Sequence, residues 1–172
     1  MKETLVVNLI GGPCSGKSTI SSGLFHKLKT QDIDCELALE FAKDKVWEES
    51  FRTMDDQIYI FGKQYHRIWR LNGKVDVIIT DSPLLISIYC MKEPSKYFNN
   101  LVLEQYHKFN NLMYFIERGD SYQTNGRIQS LGDAMKIDSE LKNILIENNI
   151  SWTSLPQEEA IDIIFNEIIE KL

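Results

Sequence analysis

Cysteine is scarce in this chain: Cys14, Cys35 and Cys90 stand far apart in 172 residues. Three such thiols exclude a disulfide framework and a clustered cysteine metal site, and they fit a reducing compartment. Long apolar runs are missing too; none approaches the ~20 residues of a membrane span. The chain opens Met1-Lys2-Glu3 and turns strand-like at once. The expectation is therefore no secretory leader, no membrane contact and a cytoplasmic protein. Repeats, low-complexity tracts and linkers are absent, which makes residues 1–172 one domain. Positive charge is also short. A net charge of −6 argues against a broad electrostatic footprint for nucleic acid. It leaves room for a local basic groove, since Lys63, His66, Arg67, Arg70 and Lys74 share one short segment. His26, His66 and His107 show no metal-ligand spacing.

What the chain does have is alternation. Apolar, β-branched runs near residues 4–10, 34–39, 75–80, 111–117 and 150–155 read as strands. Helical stretches fall near 17–30, 40–50, 55–72, 83–90, 95–110 and 132–148, with a last one starting near Pro156. Strands alternating with helices predict a five-stranded parallel α/β sheet. Ile58, Phe61, Tyr65 and Ile68 repeat at three- and four-residue steps, so one helical stripe packs inward. Gln57, Gln64 and Arg67 lie off that stripe, facing a cleft or water.

Between the first strand and the first helix lies "GGPCSGKST". Gly11, Gly12, Pro13, Cys14, Ser15, Gly16, Lys17, Ser18 and Thr19 match the spacing G-x-x-x-x-G-K-[ST] with one residue over. Small residues let backbone N–H groups turn inward around a polyphosphate. The helix that follows adds its N-terminal partial charge. Lys17 is placed to reach the β- and γ-phosphates of ATP, and the Ser18 hydroxyl to ligate Mg²⁺. Cys14 reads most simply as a small residue filling the loop.

Further candidates follow from position. Asp81 ends "VDVIITD", at the carboxyl end of a buried strand, where such proteins hold Mg²⁺; capping the next helix is the structural alternative. Glu40 ends the second strand and opens on the same crevice, as a base toward an acceptor hydroxyl, a support for the metal shell, or a first-turn glutamate favoured by the helix dipole. Arg118 follows the fourth strand and Arg127 sits within a polar, glycine-containing loop, residues 119–131. Arginines on such a loop suggest a lid that closes over the transferring phosphoryl group. Gln57 and Gln64, seven apart on one helix face, offer the donor and acceptor needed to read a base edge; exposed helix glutamines are the bland alternative. Trp47 and Trp69 could stack on a base, though core or rim packing is the simpler expectation.

These stretches resemble the small P-loop kinases of the nucleoside and nucleotide kinase group. The likeness is carried by "GGPCSGKST", "LALEFAKDKVWE", "QIYIFGKQYHRIWRLNGKVDVIITDSPLL" and "NGRIQSLGDAMKIDSELKNIL". It is strongest toward the short kinase-like "AAA family ATPase" proteins of bacteriophages, which are related to nicotinamide riboside kinases. The resemblance implies a doubly wound sheet with helices on both faces, ATP as donor, Mg²⁺, and a lid after strand four. Some members of such phage groups phosphorylate 5-hydroxymethyluracil in DNA. A phage-encoded chain would work in the host cytoplasm. One departure concerns strand three, which many deoxynucleoside kinases follow with Asp-Arg; here the pair is Asp81-Ser82. Ring-forming ATPases of the wider class need a separate helical domain, for which this length leaves no room.

Three functions remain in contention. A kinase acting on a nucleoside hydroxyl, free or in DNA, needs a base such as Glu40. A nucleoside monophosphate kinase needs acceptor-side arginines, for which Arg52, Arg67 and Arg70 are available. A nucleotide switch needs a water-positioning residue and a protein partner. A homodimer is compatible with all three.

Overall fold

A computed structural model describes residues 2–119 and 131–172. In chain order the elements are β1 (Leu5–Ile10), α1 (Lys17–Lys29), β2 (Cys35–Leu37), α2 (Phe41–Trp47), α3 (Phe51–Met54), α4 (Gln57–Trp69), β3 (Val77–Thr80), α5 (Ile86–Cys90), α6 (Lys96–Tyr106), β4 (Asn110–Glu117), α7 (Leu131–Glu147), β5 (Thr153–Pro156) and α8 (Gln157–Lys171). The five strands form one parallel sheet in the order β2-β3-β1-β4-β5. The expected doubly wound α/β fold is the observed one.

The two sheet faces can be read from the period of two in the strands. Val6, Ile10, Ile78, Met113 and Phe115 point to one side, where Phe61, Ile68, Phe98, Val102, Leu141 and Leu145 of α4, α6 and α7 cover them. Leu5, Val7, Leu9, Val77, Ile79, Tyr114 and Ile116 point to the other, against Ile20, Leu24 and Leu28 of α1 and Ala160, Ile164 and Ile168 of α8. Burial on both faces explains why β1 is apolar almost throughout. No helix among the described residues is long and apolar enough to cross a membrane.

Two details depart from the sequence reading. A separate turn, α3, stands where a single break between two helices was expected; Glu49, at a left-handed φ of 54°, ends the preceding helix region. The inward stripe of α4 is also rotated. Ile60, Phe61, Gln64 and Ile68 are buried, while Ile58 is 65% exposed. At 100° per residue Ile58 and Tyr65 both lie on the order of 100° from Gln64, at the margin of an arc that Gln64 occupies.

Gln64 holds this place because its amide is fully used. Its Oε1 accepts from the Phe41 N–H at 2.9 Å, and its Nε2 donates to the Ala38 carbonyl at 3.4 Å and to Thr80 Oγ1 at 3.3 Å. The Thr80 hydroxyl in turn donates to the Ala38 carbonyl at 2.8 Å. Nearby, Arg67 donates to the Leu39 carbonyl at 2.9 Å, pairs with Asp44 and lies over the Phe41 ring. These bonds fix residues 38–44, and Glu40 lies within that segment. Gln64→Leu keeps the bulk but strands the Phe41 N–H, while the Ala38 carbonyl keeps only its bond from Thr80. It is expected to lower unfolding free energy by about 1–3 kcal/mol in urea titrations.

Candidate functional site

Strand order reverses at β1, whose neighbours β3 and β4 lead to opposite edges of the sheet. In such a sheet the crevice beyond the strands' carboxyl ends, at the reversal, is the ligand position. The chain leaves β1 into that crevice as the loop of residues 11–16. Backbone shape sets its composition. A Cβ at Gly11 would lie 2.8 Å from Ser15 Oγ and 2.9 Å from the Ile116 carbonyl. Gly16, at φ 79°, is the residue from which α1 starts. Cys14 also takes a left-handed φ, 65°, a conformation that costs a non-glycine residue about 1–2 kcal/mol. Ser15 is buried and donates to the Gly12 carbonyl at 3.0 Å.

Lys17 folds back on this loop. Its Nζ donates to the Gly11 carbonyl at 2.6 Å and the Gly12 carbonyl at 3.0 Å. The first turn of α1 contains no acidic residue of its own. Ser18 and Thr19 are exposed on that turn.

The Ser18 hydroxyl donates to Asp81 Oδ2 at 2.7 Å. Asp81 is 5% exposed, and its Oδ1 is buried with no protein hydrogen-bond partner. It does not cap the following helix, because α5 begins only after Leu85. Glu40 stands at the start of α2, yet its carboxylate makes no capping bond. Burial raises the Glu40 pKa above its ordinary value; repulsion from Asp81 adds to this and Lys17 opposes it. Glu40, Asp81 and Lys17 therefore act on one another within a single crevice.

Arg118 approaches the loop from the β4 side. Its side chain is 9% exposed; it donates through Nη1 to the Pro13 carbonyl and through Nη2 to Asp138 Oδ2 at 2.9 Å. Asp138 Oδ1 accepts from the Gly12 N–H at 2.6 Å. Gln157, the first residue of α8, donates to the Cys14 carbonyl at 3.4 Å. Sequence reasoning missed Asp138 and Gln157. Asp138 left one signal: Ala134, Leu141 and Leu145 are buried at helical spacing from it, so it is an acid on an inward stripe.

Arg127, and residues 120–130 of the lid expected at 119–131, lie outside the described residues. The acceptor-reading role expected for Gln64 and Arg67 needs correction. Both are spent holding residues 38–44, because a buried amide must satisfy its own donors and acceptor first. Gln57 donates to the Met54 carbonyl at 2.6 Å and so ties α3 to α4. Trp47 and Trp69, expected in the core or at its rim, are exposed.

A phosphate loop at the reversal of a 2-3-1-4-5 parallel sheet defines a nucleotide-binding P-loop NTPase. A family profile described as "AAA domain" matches residues 6–161, and the chain belongs to that family. A search of curated proteins finds no match. Among solved structures the chain is similar to NadR protein in complex with NR, with TM-score 0.64, 18% identity, and coverage of 95% of this chain and 51% of that one. It thus spans about half of the NadR chain, at 51%. It is also similar to APE1195, with TM-score 0.50, 18% identity, and coverage of 99% and 97%. At these identities the likeness is one of fold.

Lys17→Ala removes the only side-chain cation of the loop. It is expected to lower turnover of ATP at least ~10²-fold with the melting temperature little changed. Turnover assays paired with thermal unfolding check this.

Proposed function

We propose that this chain is an ATP-dependent kinase that moves the γ-phosphoryl group to a hydroxyl of a nucleoside-type acceptor. The observation that carries the reading is Glu40: a carboxylate in the same crevice as the phosphate loop, uncommitted to capping and raised in pKa by its burial. Within the proposal, the acceptor oxygen bonds to the γ-phosphorus as the bond to the β–γ bridging oxygen breaks. ADP departs, and the hydroxyl proton passes to Glu40.

Mg²⁺ fits the residues present. Asp81 Oδ1 is buried and unpartnered, and Ser18 adds a second hard oxygen beside it. When bound, the ion supplies charge neutralisation on the β- and γ-phosphates. Lys17 leaves its loop carbonyls to meet the same phosphates, and Arg118 brings a guanidinium to the loop's other side. The proposed acceptors are a free nucleoside or the hydroxymethyl group of 5-hydroxymethyluracil in DNA. NR, which the NadR structure contains, belongs on the same panel. A monophosphate acceptor would call on arginines instead, and Arg67 is already paired with Asp44.

Labelled ATP with nucleosides, NR, monophosphates and 5-hydroxymethyluracil DNA identifies the acceptor. Transfer to none of them would remove the reading. On a hydroxyl acceptor, Glu40→Gln is expected to lower turnover roughly 10²–10⁴-fold with ATP affinity little changed. Full activity would remove the base assignment. Asp81→Asn is instead expected to weaken Mg²⁺-dependent ATP binding, measured by calorimetry with and without the ion.

A pH profile tests the raised pKa. A raised carboxyl keeps its proton to higher pH, so the base form emerges only as pH rises through that value. The acid limb of turnover should lie above the ordinary glutamate range and disappear in Glu40→Gln. The sign for stability is opposite. Glu40's favourable contribution is complete below its unfolded pKa and is lost as pH rises through the folded one. At neutral pH, Glu40→Gln should therefore resist urea better than the parent.

A further inference from the structure

We infer that Asp138 is a positioning residue for phosphoryl transfer, holding the Gly12–Pro13 part of the phosphate loop and aiming Arg118 across it. The inference rests on the kinase reading of the crevice. An acid on the inward stripe of α7 is costly unless both of its oxygens are used. Here both are, in bonds of 2.6 Å from the Gly12 N–H and 2.9 Å from Arg118 Nη2.

Arg118 completes a ring by donating its other arm to the Pro13 carbonyl. Two successive loop residues are thus held by a donor on one and an acceptor on the other. The approach is close: a Cβ at Gly12 would lie 2.7 Å from Asp138 Oδ1 and 3.1 Å from the Ala134 carbonyl. The same stretch of loop sets the Lys17 position, because the Gly12 carbonyl also accepts from Ser15 Oγ and Lys17 Nζ, each at 3.0 Å. Asp138 thereby acts on both loop-side cations, directly on Arg118 and through the backbone on Lys17.

The charge of Asp138 separates this role from a merely structural one. A carboxylate against Arg118 tempers the pull of that guanidinium on bound phosphate while fixing its direction. Removing the charge should loosen the aim without weakening ground-state binding. Asp138→Asn keeps an oxygen for the Gly12 N–H but sets an amide donor against Arg118 Nη2, so it removes both the charge and the acceptor that aim Arg118. It is expected to lower kcat roughly tenfold while the Kd for ATP stays level or falls. In the Arg118→Ala background the same change should cost kcat little further, since the group it aims is gone.

Turnover, calorimetry with a non-hydrolysable ATP analogue, and thermal unfolding are measured on the four proteins of this cycle. Asp138→Glu serves as a second variant that keeps the charge but displaces it; it should lower kcat without loss of fold. Unchanged kcat in both variants overturns the proposal. So does a kcat loss that is undiminished in the Arg118→Ala background, or one that accompanies weaker nucleotide binding and a lower melting temperature. Wild-type protein that binds ATP but phosphorylates no acceptor overturns the kinase reading instead. Basal ATP hydrolysis then reads the same cycle.

Discussion

The hydrogen bond from Ser18 to Asp81 is the contact on which the rest of the site depends. It joins residues 63 positions apart, the first turn of α1 and the end of β3. Only a sheet that sets β3 directly beside β1 can make it. Burying the Asp81 carboxylate is unfavourable unless its oxygens find partners, and one hydroxyl serves only one of the two oxygens. That residual demand leaves a buried carboxylate oxygen with an acceptor site unfilled beside the Ser18 hydroxyl. It also reaches Glu40, whose proton affinity rises partly because Asp81 is close.

Charge around the loop divides into two sides. On the β2–β3 side stand Glu40 and Asp81, both half-buried or more, with Lys17 between them and the loop. On the β4–α7 side stand Arg118 and Asp138, already paired. On the proposed reading, proton transfer and cation binding would fall to the first side, where negative charge is in excess. Holding the loop suits the second, where charges cancel. The neutral amides of Gln64 and Gln157 then fasten the margins, and neither adds charge to the crevice.

The kinase reading asks Glu40 for a proton affinity that its burial makes costly to the fold. The structure offsets that cost nearby, through the bonds of Gln64 and Arg67 to residues 38–44. These two side chains carry the donor and acceptor groups that a base-reading role would need, yet they face the protein. Their type was legible in the sequence; their direction was not. The observed inward stripe is centred about 60° around α4 from the expected one, which brings Gln64 inside and leaves Ile58 outside.

The sequence by itself determined the parallel α/β class, the order of its elements and the phosphate loop. The signals for these are local: β-branched runs, helical spacing, and glycines where left-handed backbone is needed, as at Gly16. It also placed Asp81 and Glu40 at strand ends, because the carboxyl ends of parallel strands share one edge. Tertiary structure decided which side chains meet there. Asp138 lies 126 residues from Gly12, and Gln157 lies 143 from Cys14; no local pattern encodes either contact. Such pairs arise from the order in which strands add to the sheet and helices pack on its faces. That order is set by non-local burial, and so it appears only when the chain has folded.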